Sequence, residues 1–397
     1  MKLITVNEPK FSAEFQCAGS QCIDHCCYGW NIVFDKTSMN KYLKSPVIEI
    51  KNIAADSVKV LKKSHAHWAQ VKFNENQVCS FMDDKKLCKV HALMGPSALS
   101  PVCADYPRSS MSFKSEMNKT LTLSCPEATR ALLTDPQAMM LVSHVITTNV
   151  AKSARIVNQQ QKLINLMSMH LMQASQAATQ QGLYAIASLL LFAEKNPQQV
   201  EELEAYFESL MISLQQGEMA EPIANLASDH QLQWTLLLRL QRYVGTRKPT
   251  RSLGLISGYV ARLLQVQTQN SSNNHAAESM ERLEQAWAST AQPWLDERPH
   301  IMRNYIMYRL YNDQFPDTRK RSAMSWLYLI TAEWFLIKSL IAATIAIEGE
   351  INEKIIIDII YSLHAVTKHN KAASEFFFEQ IENVKMNDDL SLLYLLR

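Results

Sequence analysis

The chain of 397 residues contains 47% apolar and 20% charged residues, the composition of an ordinary globular protein with a sizeable core. Its formal net charge of +2 gives no support to a strongly basic nucleic-acid binder, so no nucleic-acid partner is expected. Only 9 residues are glycine. Glycine makes up about 7% of an average protein, so its scarcity here favours long helices over tight hairpins.

All eight cysteines lie in the first third of the chain, and four of them fall within the segment CAGSQCIDHCC that begins at Cys17. The N-terminal segment MKLITVNEPKF lacks the apolar run of a secretory signal, so we expect a cytoplasmic protein. Thiols stay reduced in the cytoplasm, where clustered cysteines are more often metal ligands or reactive groups than disulfides. The sequence therefore predicts a small, irregular, cysteine-rich metal-binding domain over residues 1–130.

The cysteine spacing leaves the identity of the metal open. Structural zinc sites usually contain Cys-x2-Cys pairs, and none occurs here, although one Cys-x2-His pair begins at Cys88. An iron–sulfur cluster tolerates less regular spacing, and a disulfide framework is the third alternative. We further expect Cys22 and Cys26 to share one face of a helical turn, and a turn at residues 83–86 to bring Cys79 close to Cys88.

The remaining residues, 131–397, are predicted to form a multi-helix domain, so the fold class is mainly α. Apolar residues recur at helical spacing in nine segments: 132–150, 151–173, 183–194, 200–210, 231–244, 280–287, 301–311, 325–346 and 351–365. The polar segment QTQNSSNNH at 267–275 has no such periodicity and is predicted to be a loop or linker.

The most apolar run, residues 324–347, is long enough to cross a bilayer. Glu333 and Lys338 lie inside it, however, and each would cost about 3 kcal/mol at a membrane centre. A helix buried in the protein is therefore the preferred interpretation, and no membrane partner is expected.

Several blocks of the N-terminal third, taken in order, resemble the flagellin lysine-N-methylase family. They are 17–30 (CAGSQCIDHCCYGW), 79–83 (CSFMD), 87–91 (LCKVH), 93–99 (LMGPSAL), 103–108 (CADYPR) and 123–130 (LSCPEATR), with weaker echoes at 304–305 and 368–369. The chain departs from the family pattern at Ser80, where proline is common, and at Lys86, where a turn glycine is usual. Both departures concern the shape of loops more than ligation.

The resemblance implies transfer of a methyl group from S-adenosylmethionine to the side-chain amine of lysines on flagellin. It also implies a cysteine-held metal centre, with a [4Fe-4S] cluster favoured over zinc. The motif does not settle which thiols are ligands. The first choice is Cys22, Cys26, Cys88 and Cys103, with Cys17, Cys27, Cys79 and Cys125 in reserve.

Methyl transfer to lysine needs a neutral amine, whereas a free lysine has a pKa near 10.4. The candidate bases, chosen because they lie close to thiols in the sequence, are Asp24, Asp105, Tyr106 and Glu127. Candidate cofactor-binding residues are Arg108, which could pair with a carboxylate, and Trp30, whose aromatic face would suit a sulfonium. A structural role is the alternative for each of these residues.

The cofactor site should be unusual, because the chain has no Gly-x-Gly-x-x-Gly motif and the GLISG segment beginning at Gly254 is a poor substitute. One hypothesis is that an iron of the cluster binds the amino and carboxylate groups of the cofactor. Two non-catalytic alternatives remain from the residues alone. One is a helical module, stapled by zinc or an iron–sulfur cluster, that binds a protein partner. The other is an assembly or export factor that binds flagellin without modifying it.

Overall fold

The computed structural model describes residues 1–30, 32–197, 199–247, 250–269, 274–368, 371–385 and 390–397. Most of these residues are helical, and the multi-helix region predicted after residue 130 is confirmed. The strands are β1 (Lys2–Pro9), β2 (Val33–Phe34), β3 (Val58–Val60), β4 (Ala69–Val71), β5 (Arg108–Ser112), β6 (Glu116–Leu121) and β7 (Leu141–Thr148).

The strands form two sheets within the described residues. The larger has the order β5-β6-β1-β7, in which β1 runs parallel to β6 and antiparallel to β7. Thr5 of β1 is opposite Glu116 on one side and Val145 on the other. The smaller sheet has the antiparallel order β2-β4-β3.

The first six helices are short and lie between these strands. They are α1 (Lys10–Ala13), α2 (Lys36–Leu43), α3 (Ile48–Asp56), α4 (Lys89–Met94), α5 (Pro101–Asp105) and α6 (Pro126–Thr134). Asp35 caps α2, because its carboxylate accepts hydrogen bonds from the backbone N–H groups of Thr37 at 2.8 Å and Ser38 at 3.0 Å.

Twelve further helices follow in the described part of the chain. They are α7 (Gln159–Ala174), α8 (Thr179–Lys195), α9 (Val200–Gln216), α10 (Ala220–Ala224), α11 (His230–Gly245), α12 (Leu253–Thr268), α13 (His275–Ala286), α14 (Gln292–Asp296), α15 (His300–Asn312), α16 (Ala323–Glu348), α17 (Glu353–Thr367) and α18 (Lys371–Val384). A π-helical turn, Trp287–Ala291, joins α13 to α14.

Helix α16 contains the apolar run that was expected to be a buried helix. By length and composition it is the one helix in the described ranges that could cross a membrane, but 83% of its most apolar window is buried inside the protein. Glu333 within it is also buried and pairs with Lys368 at 2.8 Å and with Arg309. The burial is that of a core helix.

The buried apolar side chains form two cores. The smaller contains Phe34, Tyr42 and Phe81; its buried members come from residues 32–98, and partly buried side chains from residues 27–103 pack against them. The larger contains side chains from most of the helices, together with Phe11 of α1 and Leu121 of β6. The first and last parts of the N-terminal third therefore pack with the helices, while the middle part has its own core. The domain boundary predicted at residue 130 stays a prediction.

The helix predicted over 132–150 is wrong. Helix α6 ends at Thr134, and residues 141–148 form strand β7. The sequence of this strand, LVSHVITT, is rich in β-branched residues, which lose side-chain freedom in a helix. Its partner β1 lies more than 130 residues away in sequence, so local periodicity carried no sign of the pairing. The next predicted helix, 151–173, begins only at Gln159.

Two smaller expectations also need correction. Cys22 and Cys26 do not share a helical turn, because the backbone at Cys22 is extended, with φ −62° and ψ 132°. The loop predicted at 267–275 is shorter on both sides, since α12 continues to Thr268 and α13 begins at His275. Residues 270–273 of that prediction, and His369 of the weak echo at 368–369, lie outside the described residues.

Candidate functional site

Five of the eight cysteines lie close enough for their charges to shift one another's pKa. This five-thiol group consists of Cys26, Cys27, Cys79, Cys88 and Cys103. The backbone N–H of Cys79 donates to the carbonyl of Cys27 at 2.8 Å, and Cys88 is bridged to Met82 across a turn.

The turn that was predicted at residues 83–86 is confirmed. The backbone N–H of Lys86 donates to the carbonyl of Asp83 at 3.0 Å, and the N–H of Leu87 donates to the Asp83 carboxylate at 2.8 Å. Lys86 occupies a position with φ 63°, which explains why a glycine would be usual there. The turn brings Cys79 and Cys88 into the same group.

The electrostatics of the five-thiol group favour a nearby cation. Burial raises the pKa of Cys79 to about 12 and that of Cys103 to about 11, and repulsion from neighbouring thiolates adds to both shifts. Cys26 is the exception: a hydrogen bond from Cys27 lowers its pKa to about 7, and the charge of Arg251 contributes. Thiols gathered in this way repel one another once ionised, and a bound metal centre would relieve that repulsion.

The thiols as arranged do not form a closed ligand set. Within the described ranges, no group of three or more His, Cys, Asp or Glu side chains is positioned to hold a metal ion. The donor chemistry therefore fits a soft metal centre, but the geometry does not show one. The metal-binding character of the N-terminal third stays a prediction.

The other three cysteines, Cys17, Cys22 and Cys125, form a second group, in which the charge of Cys17 raises the pKa of Cys22 and that of Cys22 raises the pKa of Cys125. Burial raises the pKa of Cys22, and the other charges that act on it include those of Arg251, Glu127 and Cys17. Its thiol donates to the carbonyl of Asp24 at 3.3 Å. Three of the four first-choice ligands thus fall in one group, and Cys22 falls in the other.

A cavity of about 370 Å³ opens between the cysteine-rich part and the helices. Trp30 and Tyr106 form one side, with their ring centroids 5.7 Å apart. Ala365 and Val366 of α17 line another part. The indole N–H of Trp30 donates to the carbonyl of Cys26, so the cavity adjoins the five-thiol group.

Arg251 joins the two sides of this cavity. It lies in the segment between α11 and α12 and is buried. Its guanidinium donates to the hydroxyl of Tyr106 at 2.7 Å and to the carbonyl of Asp24 at 2.6 Å, and its Nε lies 3.1 Å from the Asp24 carboxylate. The Ser252 hydroxyl donates to the same carboxylate. Attraction to these partners outweighs the cost of burial and raises the pKa of Arg251, which therefore stays cationic.

Sequence reasoning missed Arg251. It lies in the segment TRKPTRS, residues 246–252, which has no motif spacing and is separated from Tyr106 by 145 residues. The basic, proline-containing stretch between two helical patterns was the only available signal, and it indicates a loop rather than a site.

Besides the Nε of Arg251, which faces the Asp24 carboxylate at 3.1 Å, two polar atoms of cavity-lining residues are buried without a hydrogen-bond partner in the described part of the chain. They are Nε of Arg247 and Oγ1 of Thr250. Buried donors and acceptors are almost always paired in native proteins, so unpaired ones beside a cavity point to a polar ligand. A cavity with two guanidinium groups and two large aromatic faces suits a molecule that carries both a carboxylate and a cation.

The predicted site residues divide between this cavity and the protein surface. Trp30 and Tyr106 line the cavity, and Asp24 lies behind it, bound to Arg251. Asp105 is exposed at the end of α5, and Arg108 is exposed on β5, where it lies 5.6 Å from the ring of Phe15.

Glu127 likewise lines no part of the cavity. Its carboxylate lies 3.3 Å from the Nε of Arg130, one helical turn further along α6. The structure therefore brings together three of the six predicted catalytic or cofactor-binding residues, through an arginine that the sequence did not indicate.

The comparisons with known proteins cover the whole chain. A family model described as the FliB lysine N-methylase C-terminal domain matches residues 165–395. The chain is 34% identical over 401 residues to the Lysine-N-methylase of Salmonella typhimurium (strain LT2), with both chains covered in full. It is 44% identical over 142 residues to Flagellar biosynthetic protein FliU of Salmonella muenchen, which covers 36% of this chain and 84% of that relative. No solved structure matches the chain.

Proposed function

Because the chain belongs to the FliB lysine N-methylase family, we propose that it transfers methyl groups from S-adenosylmethionine to lysine side chains of flagellin. The observation that carries the proposal is the cavity in which Arg251, Trp30 and Tyr106 meet beside the five-thiol group. Flagellin is proposed as the substrate from the resemblance of the N-terminal blocks, and the name of the FliU relative supports a flagellar role.

S-adenosylmethionine fits the chemistry of this cavity. Its carboxylate would pair with the guanidinium of Arg251 or Arg247, because arginine donors match a carboxylate in a planar, bidentate arrangement. Its sulfonium and adenine would lie against the faces of Trp30 and Tyr106, where cation–π attraction and stacking favour them. The unpaired Oγ1 of Thr250 would receive a hydrogen bond from the cofactor. This assignment also accounts for a methyltransferase without a glycine-rich Rossmann turn.

The reaction forms a bond from the lysine nitrogen to the methyl carbon and breaks the bond from that carbon to sulfur. It yields methyllysine, S-adenosylhomocysteine and one proton. The amine must lose its proton before attack, and two predicted bases are poorly suited to accept it. Asp24 is held by Arg251 and Ser252, and burial raises the pKa of Tyr106 so that it stays protonated. We infer that the aromatic side chains lining the cavity deprotonate the incoming lysine by displacing water from it, since desolvation lowers an ammonium pKa.

An iron–sulfur cluster belongs to the same proposal. The thiols of the five-thiol group, with Cys26, Cys88 and Cys103 as first choices, would hold a [4Fe-4S] cluster, and zinc is the alternative. The convergence of thiols from four separate segments, of which Cys79 is buried, supports a metal centre. The methyl transfer described above is not routed through it. A cytoplasmic location is proposed with it, because these thiols must stay reduced.

The test is methylation of flagellin by the full chain. Protein purified without oxygen is incubated with S-adenosylmethionine and monomeric flagellin, and intact-mass spectrometry follows the addition of methyl groups. Iron, sulfide and zinc contents of the same preparation identify the metal. We expect methyl gain that depends on the cofactor. Stable binding of flagellin with no mass gain would overturn the enzymatic proposal and favour a non-catalytic binding module.

A further inference from the structure

A second cavity, of about 500 Å³, lies against the four-stranded sheet. Its floor contains Asn7 of β1 and Asn118 of β6, one wall is formed by α7, and the other wall contains Gln314. We call it the amide groove. In the described part of the chain it shares no lining residue with the cavity of about 370 Å³ that Arg251 lines, which we call the Arg251 cavity, so it is a separate site.

A row of side-chain amides crosses the floor of the groove. The Ser143 hydroxyl donates to Asn7 at 2.8 Å, Asn7 donates to Asn118 at 3.1 Å, and Asn118 donates to Gln314 at 3.1 Å. Gln314 in turn donates to the carbonyl of Tyr311 at 2.8 Å. Each amide has two N–H donors and two acceptor lone pairs. Within the described residues, the row uses one donor and one acceptor of each amide, which leaves the others for a ligand.

The protein holds these amides in fixed positions. Asn7 and Asn118 are register partners on neighbouring parallel strands. Gln314 has φ 53°, a backbone conformation that residues other than glycine rarely adopt. Asn165 of α7 keeps that segment in place, because it donates to the carbonyls of Leu310 at 2.9 Å and Phe315 at 2.7 Å. Strained backbone held by its surroundings is characteristic of functional sites.

Five charged side chains line the groove in the described part of the chain, and four of them form ion pairs; the fifth is Arg155. Glu116 pairs with Lys162, and Asp317 pairs with Arg319. Apolar side chains are also exposed at the groove: Leu166 is 39% exposed and Ile156 is 73% exposed. Amides with spare donors and acceptors, flanked by apolar side chains, match the N–H and C=O groups of an extended peptide backbone.

Strand β7 extends this surface. It is the edge of the sheet, it pairs with β1 alone in the described part of the chain, and Val145 within it is 64% exposed. Leu141 of the same strand lines the groove. An exposed strand edge beside a peptide-compatible groove offers further backbone hydrogen bonds to the same ligand.

We propose that the amide groove binds an extended segment of the protein substrate through its backbone amides, away from the place of methyl transfer. The proposal rests on the proposed function for the identity of that substrate as flagellin. Binding through backbone amides depends little on sequence, so it would allow lysines in different surroundings to be presented to one active site.

The test places bulk in the groove. Leu166→Trp adds an indole to the wall formed by α7 without removing a hydrogen bond, and Leu264→Trp is the matched control. Both leucines are 39% exposed on a helix, and Leu264 of α12 lies outside the groove. We expect Leu166→Trp to raise the KM for flagellin and weaken its binding by about tenfold, with kcat and the KM for S-adenosylmethionine unchanged. Leu264→Trp should match the unmodified protein in flagellin binding, in kcat and in both KM values.

A second variant tests the amides themselves. Asn118→Leu keeps the size of the side chain and removes its donor and acceptor, so it should weaken flagellin binding to a similar degree. Binding by biolayer interferometry separates the two proposals. If flagellin binds without being methylated, and Leu166→Trp weakens that binding, the enzymatic proposal fails and the groove stands. If methylation occurs and both variants bind flagellin as the unmodified protein does, the groove proposal is wrong.

Discussion

At the scale of single residues, Arg251 connects the helical part of the protein to Asp24 and Tyr106 on the other side of the cavity. One buried guanidinium contacts the Asp24 carboxylate, the Asp24 carbonyl and the Tyr106 hydroxyl. Removing one partner of such a buried pair leaves the other charge without compensation, which usually costs several kcal/mol. The residue therefore stabilises the junction and, in our proposal, also binds the carboxylate of the cofactor.

Replacing Arg251 by lysine separates charge from geometry. Lysine keeps the positive charge but loses the planar fork that reaches three acceptors, so we expect the free energy of unfolding to fall by about 2 kcal/mol. The KM for S-adenosylmethionine should rise by about tenfold. Urea unfolding and steady-state kinetics measure the two effects.

Arg262→Lys is the matched control for this change. Arg262 also pairs with a carboxylate, at 2.6 Å from Glu348, but it is more exposed and lines no described cavity. Exposed ion pairs contribute at most about 1 kcal/mol to stability, so this variant should lose less than that in the free energy of unfolding. Its KM for S-adenosylmethionine should equal that of the unmodified protein, because Arg262 lies outside the Arg251 cavity. Equal effects of the two substitutions on KM would contradict the assignment of Arg251 to the cofactor.

At the scale of single elements, the N-terminal end of α2 shows how one carboxylate fixes a helix boundary. Asp35 accepts hydrogen bonds from Ser38 and Thr37. Burial alone would raise the pKa of Asp35, but these hydrogen bonds outweigh it and lower the pKa below the ordinary value. A carboxyl group with a lowered folded-state pKa stabilises the fold above the unfolded pKa of about 3.9, and this contribution is lost as pH falls through the folded pKa.

Two substitutions test the cap. Asp35→Ala should lower the free energy of unfolding by about 1 kcal/mol at neutral pH, whereas Asp35→Asn keeps an effective cap and should lose less. The difference in the free energy of unfolding between the unmodified protein and Asp35→Asn should shrink below about pH 4. The Asp35 carboxylate becomes protonated in that range, whereas the amide of the variant does not titrate. Urea unfolding across that range measures it. Asp84→Ala, in an exposed turn, is the control and should stay within about 0.5 kcal/mol of the unmodified protein.

At the scale of the whole molecule, the approach of the cysteine-rich part to the helices depends on one glycine. Gly29 has φ +66°, and its carbonyl accepts a hydrogen bond from the backbone N–H of Arg251 at 3.3 Å. A methyl group at Gly29 would lie only 2.5 Å from that nitrogen. The two backbones can therefore meet only if position 29 has no side chain.

Gly29→Ala and Gly19→Ala form a matched pair. Gly19 also has a positive φ, +56°, but nothing lies within 4 Å of a methyl group placed there. Both changes add backbone strain of about 1–2 kcal/mol, and only Gly29→Ala adds a backbone clash. We expect Gly29→Ala to destabilise the protein by at least about 1 kcal/mol more and to reduce methylation strongly. Chemical denaturation and the methylation assay check this. Identical behaviour of the two variants would mean that the close approach does not matter.

The sequence by itself indicated seven of the helices described after residue 175, but not α10, α12, α14 or α18. It also indicated the turn at residues 83–86 and three members of the candidate site. Helices with one apolar face and turns with local hydrogen bonds depend on residues near one another in the chain, so their signals are local. The cysteine-containing blocks also carried the family resemblance in their order and spacing alone, and the comparisons confirm the family.

Only the tertiary structure showed that residues 141–148 form a strand, that the Cys79 backbone pairs with that of Cys27, and that Arg251 reaches Asp24 and Tyr106. Each of these features depends on a partner far away in the chain. Sheet pairing, the meeting of thiols from separate segments and the burial of an ion pair gain their free energy from such distant contacts. No local pattern in the sequence records which distant residues will meet.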